Sequence, residues 1–239
     1  MTAAISSRES ILGRIRSAIQ TPGMGLADAA VAYGALPRGY IQAGKLSREG
    51  TIALLIERLR EYDAEVVECT PEELPAAIAA QLAASAKHTF VAPPGLPPSW
   101  LATGFDWKID NDLDTAEIEK VDGVLTAATC AVADSGTIVL HHGPTEGRRV
   151  ISLLPDWHLC ILLASQVVET LPEYFDRVEQ PPALATYISG PSATADIEMT
   201  RIKGVHGPRF LHVILVRDPD SPTQAPAMRP ADTAPHKGR

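Results

Sequence analysis

Helical and strand patterns alternate twice between residues 47 and 93, and this alternation constrains the fold more than any other feature. An apolar face at three- and four-residue spacing predicts a helix over 47–62, formed by Ile52, Leu55, Ile56 and Leu59. A strand pattern follows at 64–69. A hydroxyl cap, a first-turn proline and a glutamate then predict a helix over 70–84, before a strand at 88–93. This order is typical of a parallel sheet with helical crossovers.

The second half of the chain continues the pattern. Strands are predicted at residues 123–127, 137–142, 158–164, 184–189 and 209–218. Helices are predicted at 171–179, behind a capping box, and at 193–202. Adjacent rather than alternating apolar residues indicate strands covered on both faces, around residues 138–140, 159–163 and 213–216. The predicted fold class is therefore α/β, a parallel sheet with helices on both faces.

Three regions of different composition divide the chain. Residues 1–25 form a helical arm, in which an apolar helix face over 6–20 is followed by the breaker TPGMG. This arm is open to three interpretations: a docking arm, an oligomerisation element, or the first helix of the domain. Residues 26–218 form the α/β domain. Residues 219–239 are rich in proline and poor in aliphatic side chains, so we expect them to be disordered.

Charge and composition argue against several functional classes. The formal charge of −8, without a run of Lys and Arg, argues against a nucleic-acid binder. The longest apolar runs are too short to span a bilayer, and the first residues show no secretory signal. Cys69, Cys130 and Cys160 stand alone in or near apolar runs. We expect buried thiols in a reducing cytoplasm, with no metal or iron–sulfur cluster bound by this chain.

Polar loops supply the candidate site residues. Ligands of open α/β sheets bind beyond the carboxyl ends of parallel strands. Four loops are predicted to lie there, at residues 132–137, 141–149, 189–194 and 203–209. They contain the candidate ligand-binding residues Gly136, Thr137, Arg148, Gly190, Ser192, Thr194 and Arg209, and the candidate catalytic residues Asp134 and His206.

The loop 189–194 connects a predicted strand to a predicted helix. Free backbone N–H groups and the hydroxyls of Ser192 and Thr194 would there meet the positive end of a helix dipole, which suits a phosphate or carboxylate. Asp196 and Glu198 satisfy the same dipole and would repel an anion. A well-capped helix after a tight turn is therefore an open alternative.

Arg209 and His206 form the second candidate pair. An Arg side chain offers a planar fork for a carboxylate or phosphate, and a His side chain can titrate near neutral pH. The alternative for Arg209 is an ion pair with Asp196 or Glu198 elsewhere in the fold.

The remaining two loops contribute charge of both signs. Arg148 and Arg149 follow a glycine-rich turn, and we expect one of them to face solvent. Asp134 and Ser135 offer a carboxylate and a hydroxyl at a strand edge, although such a pair also serves as a cap or turn.

A resemblance to the lactate-utilisation protein C family, also called the LUD domain family, rests on three motifs: AVADSGTIVL, GPTEGRRVISLLPDWHLCIL and YISGPSATADIEMTRIKGVHGPRFLHVIL. It is dense over residues 121–217. It implies a parallel α/β fold related to the sugar-phosphate isomerase and CoA-transferase group. It also implies a three-protein system that oxidises L-lactate to pyruvate, in which two redox partner proteins carry the iron–sulfur clusters.

The resemblance implies an accessory subunit whose cleft binds a small carboxylate or phosphorylated ligand. In this hypothesis Arg209 holds the anion, and Asp134 or His206 handles protons. Asp134 stands where the family often has Glu, and residues 126–130 lack the acidic turn often found there. Two alternatives stay open: a stand-alone CoA-transferase-like or sugar-phosphate-type enzyme with Asp134 as nucleophile, and a non-catalytic scaffold. A homo-oligomer is compatible with each hypothesis.

Overall fold

The computed structural model describes residues 7–20, 26–37, 39–180, 182–194, 202–203 and 207–217. It divides the chain into two compact units, Met1–Tyr40 and Ile41–Arg239. The first unit contains helices α1 (Ser7–Gln20) and α2 (Leu26–Gly34), and α1 confirms the helix predicted over 6–20. Ile11, Ile15 and Ile19 on the apolar face of α1 are exposed. The predicted tail, 219–239, lies outside the described residues.

Short strands and helices alternate in the second unit. Its described α-helices are α3 (Arg48–Glu61), α4 (Leu74–Ala84), α5 (Thr115–Ile118), α6 (Arg149–Leu153) and α7 (Leu171–Arg177), with 3₁₀ turns at Pro98–Trp100 and Ala164–Gln166. Its described strands are β1 (Glu65–Cys69), β2 (Thr89–Ala92), β3 (Asp106–Ile109), β4 (Gly123–Ala127), β5 (Cys130–Val132), β6 (Thr137–Leu140), β7 (Trp157–Leu163), β8 (Val167–Val168), β9 (Thr186–Ile188), β10 (Ala193–Thr194), β11 (Ile202–Lys203) and β12 (Phe210–Val216).

Six strands form a parallel sheet in the order β1-β12-β7-β4-β2-β3. This confirms the predicted parallel α/β architecture. A second sheet, with the order β8-β5-β6-β9, was not predicted. In it β6 pairs antiparallel with both β5 and β9, whereas β5 and β8 are parallel. The chain thus leaves the parallel sheet after β4 and returns to it at β7.

Helices cover both faces of the parallel sheet. Successive side chains of a strand point to opposite faces, and those of the central strands are apolar on both, so each face needs cover. In β12, Val213 and Leu215 pack in one core cluster with the α3 residues Ile52, Leu55 and Leu59. Ile214 and Val216 pack on the other face with Ile78 and Leu82 of α4. The prediction that strands around 138–140, 159–163 and 213–216 are covered on both faces is confirmed, since all of these residues except the half-buried Leu163 are buried.

Hydrogen-bonded caps start several helices. The predicted capping box of Thr170 and Glu173 is present at α7, and the hydroxyl of Ser47 accepts the Gly50 N–H at the start of α3, a cap that was not predicted. Helix α4 begins at Leu74, four residues after the start of the predicted range 70–84. The Glu73 carboxylate nevertheless accepts the Thr70 N–H at 2.9 Å, as the capping pattern predicts.

The prediction of a helix over residues 193–202 is wrong at both ends of that range that the structure describes. Ala193 pairs with Lys203, and Thr194 pairs with Ile202, in the antiparallel ladder of β10 and β11. A helix would separate residues 194 and 202 by about 12 Å, whereas residues directly opposite each other in a ladder lie about 5 Å apart. The loop 189–194 therefore leads into a strand, and the expected helix dipole is absent at that described junction.

Candidate functional site

Only one of the four predicted loops lies at the carboxyl edge of the parallel sheet. In the loop 141–149, the Thr145 carbonyl accepts the N–H of Ala127, at the end of β4, and the Pro144 carbonyl accepts the N–H of Gly95, just after β2. The placement of the other three loops is a wrong prediction. Residues 132–137 connect antiparallel strands, 189–194 follow β9 of the second sheet, and 207–209 precede β12 at the amino edge.

Arg148 is engaged by a buried carboxylate. Its Nε and Nη2 atoms donate to the two oxygens of Asp110 at 2.9 and 2.5 Å, and its Nη1 donates to Asp112 at 2.9 Å. Nη2 also donates to the Leu113 carbonyl. Arg148 thus fastens the loop 141–149 to the segment after β3, and its guanidinium is occupied in doing so. Arg149 is exposed, as expected for one of the two arginines.

Arg209 forms a bidentate ion pair at the opposite edge of the sheet. Its Nε and Nη2 atoms donate to the two oxygens of Asp156 at 2.5 and 2.8 Å. The guanidinium holds the pKa of the Asp156 carboxyl below its usual range. An intramolecular ion pair was the alternative for Arg209, but its partner precedes β7 and is neither Asp196 nor Glu198. His206 lies outside the described residues.

Two of the predicted segments do come together, against α3. The Thr137 hydroxyl lies 2.7 Å from that of Ser189 and 2.8 Å from that of Ser135. Gly136 has a φ of +61° and its Cα faces the Arg58 backbone and Cβ; Gly190 has a φ of +90° and lies against Tyr62. Positive φ and this close approach both favour glycine over any other residue. The glycines therefore have a packing role.

The other predicted residues lie apart from this cluster. The Ser192 N–H donates to the Pro208 carbonyl at 2.8 Å, which joins the loop 189–194 to the segment before β12. Thr194 belongs to β10. Asp134 is exposed in the turn that closes the β5–β6 hairpin, roughly 10 Å along the strands from the hairpin's other end.

A pocket of about 410 Å³ opens at that other end of the hairpin, beyond the carboxyl end of β4. Its polar lining comes from Thr129, His141, Tyr174, Arg177, Glu179 and Gln180, and Cys130 and Val178 complete it. The position matches the usual ligand site of a parallel α/β sheet, and the volume is typical of small-molecule pockets. This is our candidate functional site.

A buried glutamate organises one wall of the pocket. Glu146 accepts the Thr129 hydroxyl and the backbone N–H of His141, the latter at 2.6 Å, and a third donor, the Gly143 N–H, lies at 3.3 Å. The side chain is only 3% exposed. A buried carboxylate requires such donors to offset its desolvation. Glu146 therefore holds two pocket residues, Thr129 and His141, in a fixed relation.

The Tyr174 hydroxyl contributes to the opposite wall, with Tyr187 behind it. The Tyr174 hydroxyl lies 2.8 Å from Nε2 of His141, and the Tyr187 hydroxyl donates to Tyr174 at 3.4 Å. Burial, with the neighbouring Tyr187, raises the pKa of Tyr174 above its usual value. Tyr174 is thus a neutral hydrogen-bond donor at physiological pH. Burial also raises the pKa of Cys130 to about 11, against the opposing effect of Arg177, so its sulfur is a thiol.

The three cysteines confirm the prediction of buried thiols. Cys69, Cys130 and Cys160 are free and buried. Within the described part of the chain, no group of three or more His, Cys, Asp and Glu side chains is placed to hold a metal ion. No described helix is both long and apolar enough to cross a membrane.

Sequence reasoning did not identify the pocket. His141 was recognisable only as the polar end of a buried strand, and Glu146 only as part of the glycine-rich turn that bears Arg148. Tyr174 and Arg177 belong to a short helix whose pattern gave no functional signal. A polar run directly after a fully apolar strand, HHGPTEGRR, was the one available indication.

Parallel α/β domains commonly bind small molecules beyond the carboxyl ends of their central strands, and the pocket described above has that position. Residues 52–216 match the LUD domain family, and the chain belongs to that family. It is 41% identical over 177 residues to lactate utilization protein C of Deinococcus radiodurans, an alignment that covers 72% of this chain and 82% of the relative.

Two further comparisons agree with this assignment. Lactate utilization protein C of Bacillus subtilis is 35% identical over 134 residues, which cover 52% of this chain and 55% of that protein, so the chain matches about half of that relative's length. A crystal structure of a DUF162 family protein from Deinococcus radiodurans matches with a TM-score of 0.61 and 34% identity, over 72% of this chain and 100% of that chain.

Proposed function

We propose that this protein acts in lactate utilisation, as an accessory subunit of an iron–sulfur-dependent system that oxidises L-lactate to pyruvate in the cytoplasm. Membership of the LUD domain family and the two relatives named lactate utilization protein C support this role. In this proposal the chain binds no cofactor. Two redox partner proteins carry the clusters and the electrons.

The observation that carries the proposal is the polar pocket at the carboxyl edge. Arg177 donates Nη1 to the Ser165 carbonyl at 3.3 Å, and its planar guanidinium suits a carboxylate. Glu179 lies in the same lining and would oppose an anion, so Arg177 has to outweigh it. His141 and Tyr174 are hydrogen-bonding groups suited to the oxygen on the neighbouring carbon of a small hydroxy or oxo acid. The expected anion site thus moves from Arg209 to Arg177, because Asp156 already occupies Arg209.

L-Lactate or pyruvate is expected to stabilise the purified chain against heat, and Arg177→Gln is expected to abolish the effect. A ligand at 100 times its dissociation constant stabilises the folded state by about 2.7 kcal/mol, which a thermal-shift assay resolves. Arg209→Gln is the matched control and should keep the full shift. Loss of the shift in Arg209→Gln with retention in Arg177→Gln would instead place the anion at the amino edge, as the sequence predicted.

Affinity purification of the full chain from lactate-grown cells is expected to recover two redox proteins, at least one of which contains an iron–sulfur cluster. Lactate oxidation should require all three proteins, because in this proposal the two redox partners carry the iron–sulfur clusters. Robust lactate oxidation by this chain alone would contradict the accessory role. If deletion of residues 1–25 abolishes recovery while Arg177→Gln leaves lactate oxidation intact, the chain is a scaffold rather than an anion-binding subunit.

A further inference from the structure

Two carboxylates hold the chain segment that leads into α3. The Gly44 N–H donates to Oε1 of Glu173 at 3.1 Å, and the Leu46 N–H donates to Oε2 of Glu169 at 2.6 Å. Residues 44–46, here called the strap, are thereby fixed over the start of α7, more than 120 residues away in sequence. These contacts lie within the second unit.

Glu173 connects the strap to the first turn of α7. While Oε1 accepts the strap N–H, Oε2 accepts the N–H of Glu169 at 3.0 Å and the N–H and hydroxyl of Thr170 at 2.8 and 3.1 Å. One carboxylate therefore serves both as the helix cap and as the strap anchor. The residue that follows it is Tyr174, and Arg177 lies one turn further on, so the same short helix carries two polar residues of the pocket.

Close packing makes the strap position selective for glycine. A Cβ at residue 44 would overlap the Glu169 side chain, including its Cβ, which cannot move without the backbone. At Gly39, five residues earlier, an added Cβ would have no other atom within 4 Å. The chain therefore offers a disruptive glycine substitution and a harmless one in the same short stretch.

We propose that Glu169 and Glu173 are positioning residues, which set the place of α7, and hence of Tyr174 and Arg177, through the strap. Isolated helices of seven residues are marginal in water, so the place of α7 depends on its tertiary contacts: the buried side chain of Tyr174 holds its middle, and the strap holds its start. Release of the strap would free one end of α7 and widen the pocket. The identity of the bound anion in this inference rests on the proposed function, but the control of α7 by the strap does not.

The test uses hydrogen–deuterium exchange on the full chain and on three variants. Gly44→Ala pushes the strap off Glu169. Glu173→Gln can keep an amide oxygen toward the Thr170 cap while its NH₂ group meets the Gly44 N–H, so it removes the Gly44 anchor of the strap and preserves the cap. Gly39→Ala is the matched control. Both disruptive variants should speed exchange of the 171–177 amides at least tenfold, with β7 and β12 unchanged.

The same variants are then titrated with pyruvate and L-lactate. Gly44→Ala and Glu173→Gln should weaken binding at least fivefold, and Gly39→Ala should bind as the wild type does. Exchange over 171–177 at the wild-type rate in both disruptive variants would overturn the strap proposal, whatever the binding result. Faster exchange together with no binding by any form, wild type included, would support the strap and overturn the anion pocket instead.

Discussion

Arg148→Ala is expected to lower the free energy of unfolding by about 3 kcal/mol, because it leaves the Asp110 carboxylate buried without its cation. The Asp110 side chain is 1% exposed, whereas that of Arg148 is 42% exposed, so the cost arises almost entirely from the carboxylate. Urea denaturation followed by circular dichroism measures the difference. Arg149→Ala, at the exposed neighbouring position, should stay within about 0.5 kcal/mol of the wild type.

A double-mutant cycle separates the ion pair from other effects of the substitution. Asp110→Ala in the Arg148→Ala background removes the unpaired charge, so the double variant should be more stable than the sum of the single effects by at least about 1 kcal/mol. Strict additivity would show that Arg148 stabilises the loop without Asp110. The four hydrogen bonds of Arg148 to Asp110, Asp112 and Leu113 argue against a ligand role for this residue. Loss of anion binding in an Arg148→Ala variant that remains folded would show such a role.

The main elements of the fold could be predicted because their signals are local. The apolar spacing of α3 corresponds to a buried helix face, and the capping residues Thr170 and Glu173 start α7 as expected. The apolar runs of β7 and β12 are buried on both sides. These features depend on a few neighbouring residues and on the burial that their pattern demands.

The site could not be predicted because it depends on pairing between distant segments. Nothing in the sequence around Thr137 shows that β6 runs antiparallel between β5 and β9, and this pairing removes the turn at Asp134 from the carboxyl edge of the parallel sheet. The ion pairs that occupy Arg148 and Arg209 join residues 38 and 53 positions apart. An exposed arginine on a glycine-rich turn has the same sequence signature whether it binds a ligand or a neighbouring carboxylate.

The pocket residues could not be predicted either, because they come from separate segments of the chain. Thr129, His141 and Tyr174 come from a strand start, a strand end and a helix. The antiparallel pairing of β5 with β6 and the loop residue Glu146 bring the first two together. A tyrosine within a helix pattern usually indicates a side chain packed in the core, and Tyr174 is indeed buried. Its hydroxyl nevertheless reaches the pocket, so burial and participation in a site are compatible for an amphipathic side chain.

His158 is expected to make the stability of the protein fall steeply with acid. It lies in β7, is 1% exposed, and its Nε2 atom is 2.8 Å from the hydroxyl of Thr126 on β4. Burial lowers the pKa of His158 to about 4, whereas the unfolded chain titrates near the ordinary value of about 6.5. The unfolded state therefore binds a proton first as the pH falls, and each pH unit between these two values costs up to about 1.4 kcal/mol.

The resulting loss between pH 6.5 and pH 4 is about 3 kcal/mol from this one histidine. Chemical denaturation at half-unit steps of pH measures it. His158→Gln should reduce the slope by this amount and leave the share of His212, whose pKa burial also lowers. His88→Gln, at an exposed position, should keep the wild-type slope. Thr126→Val is the second variant if His158→Gln does not fold. It removes the hydrogen bond to His158 and leaves the imidazole buried, so it should lower the stability at every pH while preserving the slope of stability against pH. A His158 NMR signal that titrates near pH 6.5 in the folded protein would contradict the prediction, because the imidazole would then reach solvent.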